Sequence, residues 1–179
     1  MKILGVDPGL QVCGYAVVEI GSPCRVGLAP PNISGALKPT LLEAGVLRTA
    51  GDRSLETRLN QIADDARSLL EHFRPDVVAV EELYSHYAHP KTAILMGHAR
   101  GVILQKCAEA GVEVKSFSAT RIKKSLTGNG RASKEQVQRM IQTVLALPEL
   151  PEPSDVADAI AAALCCGNSL RPGFEAVRR

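Results

Sequence analysis

Apolar and polar positions change period several times along the chain, and each change marks an element. Lys2 to Asp7 is short, apolar and stopped by Pro8-Gly9, which predicts a buried strand running into a turn. Gly14 to Ile20 predicts a second strand, close enough to pair with the first as a hairpin. Residues 21–41 hold Pro23, Pro30, Pro31 and Pro39 among Gly and Ser, and read as a loop well beyond the usual ~4–6 residues. Leu42 to Thr49 predicts a third strand. Ser54 is a candidate N-cap for a helix reaching Phe73, in which Leu55, Leu59, Ile62, Ala66, Leu69, Leu70 and Phe73 follow the 3.6-residue period. Asp76 to Glu81 is β-branched and continuous, as a central strand covered on both faces must be. Pro90 suits the first turn of a helix running to about Ala110, and Val112 to Phe117 predicts a fifth strand. Three helices close the chain, at about Ala119 to Leu126, Ser133 to Leu147 and Asp155 to Leu170. The second of these opens with a capping box, Ser133 to Gln136, and carries Val137, Met140, Ile141, Val144 and Leu145 on one stripe.

This order predicts an α/β fold with a mixed five-stranded sheet and helices on both faces. Three sequential strands form an antiparallel meander, and two crossover units add strands parallel to the first. Right-handed crossovers put the Asp76–Glu81 strand beside the first strand, with their carboxyl ends pointing the same way. Asp7 ends one and Glu81 ends the other, and the carboxyl edge is where sites form in open α/β sheets. The pattern shows no repeat and no second unit, so residues 1–170 are expected to be one domain and 171–179 a flexible tail.

Composition narrows the picture a little. With 21 basic against 19 acidic residues the net charge of +2 decides nothing about nucleic acid, so only the distribution of charge can. No apolar run approaches the ~20 residues of a membrane span, and the N-terminus reads as a first strand rather than a secretory signal. The cysteines, Cys13, Cys24, Cys107, Cys165 and Cys166, are odd in number and include no C-x-x-C pair, which argues against a disulfide framework or a zinc site. Reduced thiols and a cytoplasmic location are the expectation.

Asp7 and Glu81 each finish an apolar strand, a costly place for a charge unless something compensates it. Alternation cannot choose between Glu81 and Glu82, because both faces of that strand are apolar. Asp155 and Asp158 lie three apart in the first turn of an Ala-rich helix, with Ser154 as its expected cap, and so share a face. Singly, each placement has an ordinary structural explanation, as a turn residue or a partner of the helix dipole. Together, four carboxylates converging on one sheet edge would repel one another strongly. A pair of Mg²⁺ ions about 3.5–4 Å apart removes that conflict and supplies in-line displacement chemistry at phosphorus. Oxygen ligands suit Mg²⁺ or Mn²⁺ and argue against zinc.

Between Lys115 and Arg139 the local charge is +6, from Lys115, Arg121, Lys123, Lys124, Arg131, Lys134 and Arg139 against Glu135 alone. A solvated helix face is the ordinary reading of such a run, but its place before the acidic helix suits a phosphate track. Tyr84 and Tyr87, with His86 and His89, follow the Glu81 strand and could stack on exposed bases. The four histidines show no ligand spacing. Ala93, Gly97 and Gly101 recur every fourth residue, which lets either the sheet or a partner subunit approach closely.

The stretches ILGVDPGLQVCGYAVV, DVVAVEELY, KTAILMGHARGV, SATRIKKSLTGNGRASKEQVQRMI and SDVADAIAAAL, in this order and spacing, resemble the RuvC family of Holliday-junction resolvases over most of residues 1 to 170. The resemblance implies an RNase H-like fold and a homodimer that nicks four-way DNA junctions symmetrically with Mg²⁺, two ions per subunit, which Mn²⁺ could replace. It implies Asp7, Glu81, Asp155 and Asp158 as catalytic metal ligands, choosing Glu81 over Glu82. It further implies Lys123 and Lys134 as basic residues near the active site and Tyr84 as a DNA contact; the basic run itself offers Arg121, Lys124 and Arg131 as further DNA-binding residues. A branch-migration motor is implied as a further partner. The 21–41 connection is longer than expected of the family, and Glu82 adds a charge where a neutral residue is common. Three rivals remain: an RNase H-like nuclease for RNA or flapped DNA, an actin-like kinase, and a non-catalytic junction-binding module.

Overall fold

The computed structural model describes residues 1–21, 39–83 and 90–170. The expectations for Tyr84 and its neighbours up to His89, for most of the 21–41 connection and for the 171–179 tail lie outside the described residues. Five strands, β1 (Lys2–Asp7), β2 (Val12–Ile20), β3 (Pro39–Arg48), β4 (Val77–Glu81) and β5 (Glu113–Phe117), form one sheet in the order β3-β2-β1-β4-β5. β1, β2 and β3 pair antiparallel, while β4 joins β1 and β5 joins β4 in parallel. This is the mixed topology expected from the element order.

Alternation along the strands divides the core in two. Leu4, Val6, Val17, Val78 and Val80 face α1 (Leu55–Phe73) and α2 (Pro90–Glu109), meeting Ile62, Leu70, Ala99 and Ile103. Ile3, Ala16, Val18, Val77 and Ala79 face α5 (Ser154–Ser169), and α3 (Ala119–Thr127) and α4 (Lys134–Leu145) join that layer through Ile122, Val137 and Ile141. Helices therefore cover both faces.

The structure shifts several expected boundaries, each for a local reason. β3 begins at Pro39 rather than Leu42, because β3 is an edge strand and tolerates a residue without an N–H. β2 begins at Val12, pairing with Arg48. Leu42 bulges out where the β2/β3 register slips at Val17/Val18, which twists the free edge. α4 stops at Leu145, since Ala146 turns left-handed at φ 53°. The cap position of α5 is Pro153 rather than Ser154, and Ser154 is the first helical residue. The capping box of α4 is formed as expected, with Ser133 Oγ accepting from Gln136 N–H and the Gln136 side chain accepting from Ser133 N–H.

α5 lies unusually close to the sheet. Its buried face is built largely of alanine, from Ala157 to Ala163, and β1 presents Gly5 beneath it. A Cβ on Gly5 would collide with the carbonyl oxygen of Ala159 and sit 2.9 Å from the Ala163 Cβ. Gly5→Ala should therefore destabilise the fold by about 1–3 kcal/mol, the usual cost of overpacking. Urea unfolding checks this, and an unchanged midpoint would refute the close contact.

Candidate active site

Two strand ends and one helix start bring the acids together. In the parallel β1/β4 ladder Ile3 pairs with Val77 and Val6 with Val80, so one further step sets Asp7 level with Glu81. Asp7 shares a face with Ile3 and Gly5, and Glu81 with Val77 and Ala79, which is the α5 face. Glu82 falls on the opposite parity and is exposed. The two-sided apolar pattern that left the glutamates indistinguishable is thus resolved by which helix covers which face. Asp155 and Asp158, both half-buried, lie in the opening turns of α5 and are carried over the sheet by its close packing. Gly14, which pairs with Asp7 across the β1/β2 ladder, touches the backbone of Asp155. Sequence reading had not singled out Gly14, although a lone glycine inside an apolar strand signals close backbone approach.

The electrostatics record the crowding. Burial, followed by repulsion from Asp158, Glu81 and Asp155, pushes the Asp7 carboxyl from 3.8 up to about 7, with Lys134 opposing the shift. Burial and Asp158 also raise Glu81, against the pull of Lys134 and Lys123. Lys134 Nζ stands 3.4 Å from Asp158 Oδ2, with the lysine side chain 69% exposed, so the pair holds the acids only weakly. Among the described residues no three His, Cys, Asp or Glu side chains close into a ready-made metal cage. The carboxylates are near enough to repel and are not drawn onto a common point. Their donor chemistry nevertheless fits a hard divalent cation, because every donor is an oxygen and the disfavoured state of Asp7 is the charged one that a cation would stabilise.

The basic run is less uniform than its sequence. Lys123 is half-buried and near enough to lower Glu81, whereas Lys124 and Arg131 are exposed. Arg121 is exposed and lies over the Phe117 ring, 5.0 Å from its centre, in a cation–π contact. Lys115 pairs with Glu113 at 3.2 Å and Arg139 with Glu135 at 2.6 Å, so both ends of the run carry an acidic partner. Two hollows among the described residues lie away from the acids: about 370 Å³ beside Asn129 and Arg139, and about 440 Å³ at Arg74 and Lys106.

The fold is that of an RNase H-like domain, with an acid cluster at one sheet edge whose oxygen donors fit a divalent cation. The family model for "Crossover junction endodeoxyribonuclease RuvC" matches residues 3–166, and the chain belongs to that family. A crossover junction endodeoxyribonuclease RuvC of Rhodopirellula baltica is 44% identical over 163 residues, covering 91% of this chain and 84% of that one. A relative of the same name from Heliobacterium modesticaldum is 40% identical, covering 97% and 98%. The solved Thermus thermophilus RuvC superimposes with a TM-score of 0.83 at 34% identity, covering 97% of this chain and 98% of that one. The T. thermophilus protein in complex with a Holliday junction substrate gives 0.82 at 33%, with the same coverage.

The shift of Asp7 has a sign that can be measured. Unfolded, this carboxyl titrates near 3.8; folded and free of metal, it titrates at about 7. Folding therefore takes up a proton between those values, so the stability from this group is intact below 3.8 and is lost as pH rises through 7. In chelator at pH 8, Asp7→Asn should be more stable than the unaltered protein by on the order of a few kcal/mol. The gap should close at pH 4, where Asp7 is neutral in the folded protein. Urea melts at both pH values check this, and a less stable variant at pH 8 would contradict the burial of Asp7.

Proposed function

We propose that this chain is a structure-selective endonuclease that resolves four-way DNA junctions by symmetric nicking, with Mg²⁺ held by Asp7, Glu81, Asp155 and Asp158. The observation that carries the reading is the elevation of Asp7 by burial and by the other three acids. Nothing in a merely structural turn calls for such crowding. Family membership supports a divalent-metal-dependent nuclease; Mg²⁺ as the ion, and two ions per subunit, are our reading of the all-carboxylate donor set. The relative solved with a Holliday junction supports the choice of substrate. It favours a junction over RNA or flapped DNA.

When bound, the cations supply charge neutralisation at the scissile phosphate and activation of water. Asp7 and Glu81, fixed at neighbouring strand ends, provide the rigid side of their site, and Asp155 and Asp158 provide the helix side. Lys123 and Lys134 flank the acids and offset phosphate charge beside them. Arg121, Lys124 and Arg131 extend the positive surface along the α3–α4 layer, where they contact the sugar–phosphate backbone. Tyr84 is proposed as a base-stacking contact on the family resemblance alone.

Symmetric nicking requires two centres, and this chain carries one. We assign the second to another copy docked through α2, whose outward face exposes Ile94 at 60% and Leu95 at 37%. Among the described residues nothing lies within 4 Å of the place a Gly101 Cβ would take, whereas a Gly97 Cβ would meet Leu83. A branch-migration motor is a further proposed partner, and the cytoplasm the proposed compartment. Among the described residues no helix is long and apolar enough to cross a membrane.

The central test is cleavage of a synthetic four-way junction in Mg²⁺, beside duplex and RNA–DNA hybrid controls. Asp7→Asn should abolish nicking of the junction, a loss of at least about 10³-fold, while gel-shift binding survives, because amides bind Mg²⁺ poorly. Preference for the hybrid over the junction would defeat the substrate assignment, and undiminished nicking by the variant would defeat the metal role. For the second copy, Ile94→Asp should convert dimer to monomer in analytical ultracentrifugation. A dimer of unchanged affinity would place the interface elsewhere.

A further inference from the structure

α5 crosses the sheet at three points where a side chain is missing. Gly5 lies under Ala159, Gly167 against Ile20, and Gly14 under Asp155. The first two join core to core. The third joins the sheet to the main chain of a site acid.

Gly14 is the cross-strand partner of Asp7, so a side chain there would stand beside that of Asp7 on the same face of the sheet. The main chain of Asp155 occupies that space instead. A Cβ on Gly14 would collide with the carbonyl oxygen of Asp155, and would lie 2.5 Å from its carbonyl carbon and 3.2 Å from its Cα. These are backbone atoms in the first turn of a helix, and they cannot swing aside as the tip of a side chain can. The β-ladder position needs no left-handed backbone. Space, and not torsion, excludes every other residue.

From this contact we infer that Gly14 is a positioning residue, whose missing side chain sets the distance from Asp155 to Asp7 and with it the affinity for the divalent cation. The inference rests on the metal reading given above. A Cβ at position 14 forces the opening turn of α5 off the sheet and carries the Asp155 carboxylate away from its partners. Metal affinity then falls before any question of substrate arises.

The experiment titrates Mn²⁺ into the full chain without DNA, by calorimetry and by the spin signal of free Mn²⁺. Gly14→Ala should raise the dissociation constant about 10–100-fold, the range seen when residues that orient metal ligands are altered. Gly167→Ala is the control, because it crowds the same helix–sheet interface at the end remote from the acids, against Ile20 Cδ1 at 2.9 Å. It should change Mn²⁺ affinity by less than about twofold, as expected of a distant, independent site. Unchanged affinity in Gly14→Ala, or equal losses in the two variants, would overturn the positioning role and leave the metal reading standing. Failure of the unaltered protein to bind Mn²⁺ would overturn both. Should Gly14→Ala not fold, Asp155→Glu in the unaltered background decides. A set distance requires the longer side chain to weaken Mn²⁺ binding, and retained affinity would overturn the inference.

Discussion

The acids at the ends of β1 and β4 and at the start of α5 repel one another in a place from which water is partly excluded, and the rest of the fold has to withstand that repulsion. Desolvation ranks above any single neighbouring charge in raising both Asp7 and Glu81. Burial, more than proximity alone, is therefore what holds these acids above the ordinary carboxylate range. The alanine face of that helix and the glycines beneath it are the means. A helix with larger side chains on that face would stand further from the sheet, admit water to the edge, and relax the acids toward ordinary carboxylates.

Much of the fold was legible along the chain because its periods are clean. The continuous, β-branched apolar run before Glu81 is what a strand covered on both faces requires, and the structure supplies α5 on one side and α1 with α2 on the other. The points that were not legible share a cause, since each depends on a partner distant in sequence. Pro39 can open β3 because, among the described residues, no strand lies beyond that edge. Glu81 and Glu82 become different only when the covering helices are known. Gly14 looked like one more small residue in a strand, and its significance lies in a helix some 140 positions later.

Charge counting along the chain was less informative than it looked. Seven basic residues between Lys115 and Arg139 suggested a continuous track, but Lys115 and Arg139 are matched with Glu113 and Glu135. Lys123 and Lys134 differ in kind, because the charges that they meet are those of the site itself. Position relative to the acids, more than local density, separates the two roles. Only tertiary structure supplies it.

The same geometry bears on how a polyanion could approach such an edge at all. Four carboxylates present a negative field that disfavours phosphate, and of the basic residues of α3 and α4 Lys123 and Lys134 act on the acids directly. On the metal reading, a divalent cation answers both difficulties, since it relieves the repulsion around Asp7 and reverses the sign of the field met by the scissile phosphate. If the cation strengthens DNA binding at this edge, DNA must by linkage strengthen cation binding by the same factor. Lys134, poised at 3.4 Å from Asp158, is a weak cation standing where a stronger one is called for. It opposes the rise of Asp7 and Glu81 without cancelling it, and its exposed side chain is held only by a long pair with Asp158.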